Sequence, residues 1–189
     1  MESELHLPGG CPRAVVLVEG ISDRIAVETL AECRGRDLEA EGISVVAMGG
    51  AQAIGRYLNR FGPRGLDVRL AGLYDAGEER EFRRALEQTG LGSDPERLGF
   101  YVCNPDLEAE LIRALGAARV EEVVEAHGDL RSFRTLQAEP AWRGRPTDAQ
   151  LRRFMGSGGR RKTRYARFLV EALDPDEVPR PLDLVLAHV

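Results

Sequence analysis

Apolar and polar positions fall in blocks along this chain. Four apolar runs stand out: AVVLV (14–18), ISVVAM (43–48), VRLAGLY (68–74) and LGFYVC (98–103). Each is short and rich in β-branched or aromatic residues, which predicts strands buried on both faces. The intervening stretches have helical spacing. SDRIAVETLAECRG sets Ile25, Ala26, Leu30 and Cys33 on one side, with Ser22 as candidate N-cap and Gly35 near the stop. AQAIGRYLNRFG follows the second run, EEREFRRALEQTG the third and LEAELIRALG the fourth. Strand alternating with helix predicts an α/β fold, a parallel sheet of about four strands flanked by helices.

The second half reads differently. Helical patterns continue at 117–127, about 130–137, 147–155 and 163–173, separated by the turn-rich AEPAWRGRP and the glycine stretch GSGGRRK. The closing PDEVPRPLDLVLAHV is expected to dock Leu184, Val185 and Leu186 on the core. There is no internal repeat. The reading divides the chain into an N-terminal tail (1–12), an α/β core (13–128) and a helical extension packed on that core (129–189).

Ligands of open parallel sheets bind beyond the carboxyl ends of the strands. The first run ends in Glu19, with Asp23 one helical turn later. The third ends in Asp75, followed by Gly77, Glu78 and Glu79. The fourth gives Asn104, then Asp106, Glu108 and Glu110. The second delivers Gly49 and Gly50, where a backbone or substrate can approach closely. A helix dipole accounts for Asp23, Glu78, Glu79 or Glu108 taken singly, and helix surface or cap is the preferred reading of Glu78, Glu79 and Glu110. Glu19 and Asp75 directly end apolar strands, and that explanation does not cover them. Carboxylates crowded into one crevice raise each other's pKa. A divalent cation relieves the conflict, and oxygen donors without His or Cys favour Mg²⁺ or Mn²⁺ over zinc.

Charge sharpens the picture. Residues 131–167 hold ten arginines and Lys162 against Glu139 and Asp148, a net of +9, so the rest of this 189-residue chain of overall charge −5 carries −14. A basic segment beside an acidic body fits a polyanion on one side and cations on the other. Lys162 is the only lysine among 26 basic residues. Three scattered cysteines, Cys11, Cys33 and Cys103, argue against a disulfide framework and for a reducing cytoplasm. His6, His127 and His188 show no zinc spacing. No apolar stretch is long enough to span a bilayer, and the start lacks a secretion signal. Trp142 between Arg143 and Arg145 reads as core more readily than as a base-stacking platform. Ser157 has no histidine nearby in sequence, and no dinucleotide-binding fingerprint is present.

At VEG-IS-D and LYDAGEE the chain resembles a TOPRIM domain, the Rossmann-like metal-binding fold of topoisomerases, DnaG-type primases and OLD-family nucleases. That family places a glutamate after the first strand, here Glu19, and an Asp-x-Asp after a later one. Here the first aspartate is Asp75, while Gly77 stands at the second position. The departure points away from topoisomerases and primases and towards the OLD branch. There a second acid four residues after the first is matched by Asp23, an Asp-Leu-Glu by Asp106-Leu107-Glu108, and a downstream basic residue by Lys162. The resemblance spans roughly residues 13–173. OLD nucleases carry an ABC-type ATPase before this part; the chain has no G-x-x-x-x-G-K-[ST] motif and reads as the nuclease half alone.

The resemblance implies a metal-dependent DNA endonuclease. Glu19, Asp23, Asp75 and Asp106 or Glu108 hold two Mg²⁺ (or Mn²⁺) ions, and Lys162 stabilises charge on the scissile phosphate together with the catalytic acids Glu19 and Asp75. Arg160, Arg161, Arg164 and Arg167 grip backbone phosphates. DNA is the expected partner, with a separate ATPase and self-association left open. Two alternatives stand beside it: a non-catalytic module that binds nucleic acid or regulates a partner ATPase, and a small nucleotidyl transferase or RNA-processing enzyme using the same metals.

Overall fold

A computed structural model describes residues 11–189. The predicted tail falls outside them for its first ten residues, and so does His6. The elements run β1 (Ala14–Val18), α1 (Ile21–Cys33), β2 (Ile43–Ala47), α2 (Ile54–Phe61), β3 (Arg69–Asp75), α3 (Glu79–Thr89), β4 (Phe100–Cys103), α4 (Leu107–Ala126), α5 (Leu130–Ala138), α6 (Thr147–Met155), α7 (Gly159–Glu171) and α8 (Arg180–His188). All four predicted strands are present, joined in one parallel sheet of order β2-β1-β3-β4.

The strands are apolar throughout because both faces are covered. Along β1, Ala14, Val16 and Val18 enter one core with α1, α4, α7 and α8, while Val15 and Leu17 enter a second with α2 and α3. Alternate side chains point to opposite faces, so every residue of β1 is buried. Gly72 on β3 has a packing reason: a Cβ there would stand 2.5 Å from the Leu17 carbonyl and 2.8 Å from the Phe100 ring.

The helix following β1 lies on one face of the sheet and the helix following β3 on the other. β1 and β3 are nevertheless neighbours in exact parallel register from Ala14↔Arg69 to Leu17↔Gly72. Their carboxyl ends therefore open between helices that diverge, the topological switch point where such sheets bind ligands. Glu19 and Asp75 flank that point.

The second half packs on the first core. α4 lies on the sheet and is broken at Gly116, whose φ is +75°, so the two helical stretches predicted there meet at a kink. α7 lies between α1 and α4, and α6 packs against α4. At the C-terminus α8 docks on the core as expected: Leu182, Val185 and Leu186 are completely buried, and the partly buried Leu184 packs against the same core. The three buried residues follow i, i+3, i+4 spacing, as a helix lying on a sheet requires. Among the described residues no helix is long and apolar enough to cross a membrane.

Candidate functional site

Among the helices that start near the carboxyl edge of the sheet are α1 after β1, α4 after β4, and α7 from the C-terminal helical extension, the cap. Each brings side chains in its first turn. Asp23 is the third residue of α1, and its Oδ2 accepts the Gly20 N–H at 2.9 Å, so it closes the helix start as well as facing the crevice. It is only 8% exposed. Asp106 is the N-cap of α4, its Oδ1 accepting the Ala109 N–H at 2.9 Å. Its Oδ2 accepts from Arg152 Nε at 2.6 Å, and Arg152 Nη2 reaches the same oxygen. Glu108, 9% exposed, pairs with Lys162, with Nζ 3.2 Å from Oε1. Positively polarised helix starts offset part of this negative charge.

Glu19 lies in the turn after β1. Its carbonyl accepts N–H bonds from Gly49 and Gly50 at 3.0 and 3.2 Å. Both glycines have positive φ, 78° and 122°, which is what lets the β2 loop fold back against the end of β1. Asp75 is the last residue of β3, paired across the ladder with Cys103.

The electrostatics show that these groups face one another. Burial pushes the Asp75 carboxyl up to about 7, helped by the charges of Asp23, Glu19, Asp106 and Glu108. Burial, then Asp23 and Glu78, raise Glu19 above the ordinary range, against the pull of Lys162. Burial raises Asp23 and Glu108 too, with Lys162 opposing in both. For Lys162, burial favours the neutral amine, but Glu108, Asp23 and Asp75 outweigh it and its pKa rises. Burial drives the Cys103 thiol far up. The five predicted acids and Lys162 thus lie close enough at this edge to feel one another's charge. Among the described residues no three His, Cys, Asp or Glu side chains are gathered into a ready-made metal cage. Arg152 and Lys162 hold two of the acids instead.

Residues 12–76 match the family model of the Overcoming lysogenization defect protein-like TOPRIM domain. The C-terminal region of the Xanthomonas campestris pv. campestris OLD protein shares the fold with a TM-score of 0.69, at 25% identity over 94% of both chains. The C-terminal region of the Burkholderia pseudomallei OLD protein does so with a TM-score of 0.72, at 21% identity over 94% of this chain and 96% of that one. No curated protein matches the chain by sequence.

Over residues 12–76 the chain matches an OLD-like TOPRIM domain.

Glu19, Asp23 and Asp75 fall within the residues matched to the TOPRIM model; Asp106, Glu108 and Lys162 fall outside them. Two groups at the TOPRIM edge escaped the sequence reading. Arg152 grips Asp106 from 46 residues away, and nothing local distinguished it from its arginine neighbours. Glu78, read as helix surface, acts on Glu19; its place three residues after Asp75 was the available signal. At Gly77 a Cβ would meet nothing within 4 Å, so the missing second aspartate is not a matter of space.

The predicted arginines divide. Arg160, Arg164 and Arg167 share one face of α7, while Lys162 lies on the face of buried Tyr165, Ala166 and Leu169. Arg167 bonds Glu32 on α1 at 2.6 Å, and Arg164 sits 5.6 Å above the Phe168 ring. Both border a cleft of about 370 Å³ between α1 and α7, with Ile25 and Glu28, that contains none of the acids. Arg161 lies over Phe154 at 4.2 Å and donates to Ser157 Oγ. Arg160 is exposed. Trp142 packs against the core under Arg145.

Proposed function

We propose that this protein is a cytoplasmic metal-dependent endonuclease that cleaves DNA phosphodiesters by a two-metal mechanism. The OLD-like TOPRIM match over residues 12–76 supports a nuclease-type reading, since TOPRIM domains generally bind divalent metals. The observation that carries the reading is the meeting of Glu19, Asp23, Asp75, Asp106 and Glu108 at one sheet edge, opposite Lys162. The donors are hard oxygens, a set that fits Mg²⁺ or Mn²⁺. Burial first, and then the neighbouring acids, raise the Asp75 carboxyl to about 7, an environment that a bound cation would relieve.

Glu19, Asp75 and Asp106 or Glu108 would hold the ions, with Asp23 completing the second site. Such ions supply Lewis acidity that makes water nucleophilic and neutralises charge on the phosphate. The remaining roles belong to the chain. Lys162 donates hydrogen bonds to the phosphate oxygens as charge builds in the transition state. Residues 13–128 supply the acids and 129–189 the cations. Arg160 and the exposed arginines of the C-terminal helices that are not already tied to a carboxylate hold the DNA backbone without reading bases. The OLD context suggests an ATPase as the protein partner.

The test is nicking of supercoiled plasmid in Mg²⁺ or Mn²⁺. Wild type is expected to nick and Asp75→Ala to lose activity; no nicking by wild type, or equal nicking by the variant, contradicts the proposal. A second reading, a non-catalytic module that binds nucleic acid or regulates an ATPase, draws on Gly77 and on the want of a ready-made cage among the described residues. It predicts DNA binding without cleavage.

A further inference from the structure

Two cations of the cap enter the acid crevice, and they hold their partners differently. Lys162 makes a single contact with Glu108. Arg152 places both Nε and Nη2 on one oxygen, Asp106 Oδ2. The other oxygen of Asp106 is committed to the Ala109 N–H, so Oδ2 is the atom it can offer to the crevice, and Arg152 takes it. The pair is lopsided: the Asp106 side chain is 13% exposed, whereas Arg152 is 49% exposed. The carboxylate is anchored by its helix, while the guanidinium reaches in from solvent on a flexible stem. Its charge also acts on Glu108 and Asp75.

A resident cation opposes the entry of another. A guanidinium freed from a carboxylate is well shaped to fork onto a phosphate. Resting on the metal-nuclease reading above, we propose that Arg152 is a displaceable counter-cation. It neutralises Asp106 while no divalent ion is bound, yields Oδ2 as the ion loads, and turns to the DNA phosphate. Metal and DNA then strengthen each other's binding, and the coupling is reciprocal.

The test uses the full chain. Calorimetric titration with Mn²⁺, without DNA, should show Arg152→Gln binding about 5-fold or more tightly than wild type. Arg152→Lys, which keeps the charge, should stay within about 2-fold of wild type. Fluorescence anisotropy of a labelled duplex oligonucleotide at constant ionic strength supplies the reciprocal arm. Saturating Ca²⁺ should tighten wild-type binding about 5-fold or more, and tighten Arg152→Gln much less. A merely structural Arg152 predicts the opposite sign: weaker Mn²⁺ binding in the variant, in step with a lower Tm. Equal or weaker Mn²⁺ affinity in an Arg152→Gln protein whose circular dichroism and Tm match wild type overturns the proposal. If Arg152→Gln does not fold, the wild-type arm decides, since unchanged duplex affinity on adding Ca²⁺ also overturns it. No Mn²⁺ heat from wild type or variant overturns the metal-nuclease reading itself, and this inference with it.

Discussion

Lys162 is the residue on which sequence and structure agree most usefully. As the only lysine in an arginine-rich chain it drew attention by count, and the fold sets its ammonium 3.2 Å from Glu108. A compact point charge is difficult to replace there by a planar fork. Lys162→Met is expected to lower plasmid nicking by about 100- to 1,000-fold, with an unchanged circular dichroism spectrum; nicking within about 10-fold of wild type would remove it from the chemistry. Asp75 makes a pH prediction. Its carboxyl is pushed up to about 7 in the fold, against about 4 in an unfolded chain. Between those values the folded state binds the extra proton, so stability falls as pH rises through the window and stays low above it. Metal-free wild type should therefore melt lower at about pH 8 than at about pH 5, and Asp75→Asn should narrow that gap by about 2–4 °C. Glu19 and Asp75 could be read directly because an apolar strand that ends on a carboxylate is unusual. Arg152 could not, because its partner is fixed by the packing of α6 on α4.

At the scale of elements, strands were more legible than helix partners. The bounds of β1 agree with the reading because both its faces are buried, leaving no polar position to blur the ends. At α8 the apolar run predicts Leu184, Val185 and Leu186 on the core; all three reach it, Leu184 at its edge, and Leu182 joins them fully buried. Gly72 shows how tightly the central strands are set. Gly72→Ala would force the Leu17 carbonyl and the Phe100 ring apart, and urea unfolding should show a loss of about 1–3 kcal/mol. An unchanged midpoint would mean that β1, β3 and β4 are packed less closely than described. The face of α7 carries its own prediction. Arg167 is tied to Glu32 and Glu171 on the side away from Lys162. Arg167→Ala should leave the salt dependence of DNA binding nearly unchanged, and Arg160→Ala should reduce the slope by about 1.

Over the whole molecule, charge is segregated: a net +9 lies in residues 131–167 and −14 elsewhere. The fold turns that linear asymmetry into a spatial one by seating α6 and α7 over the start of α4 and α1. Two cap cations then meet acids at the sheet edge. The asymmetry was visible in the sequence. Which arginines face inward was not, since α7 presents its arginines and Lys162 on different sides. The central claim is that the acids of this edge jointly hold divalent metal. Anomalous diffraction from crystals soaked in Mn²⁺ tests it most directly. Density for manganese is predicted between Glu19, Asp75 and Glu108, with Lys162 drawn off Glu108. Crystals without manganese at this edge, and with Lys162 and Arg152 still holding their carboxylates, would contradict it.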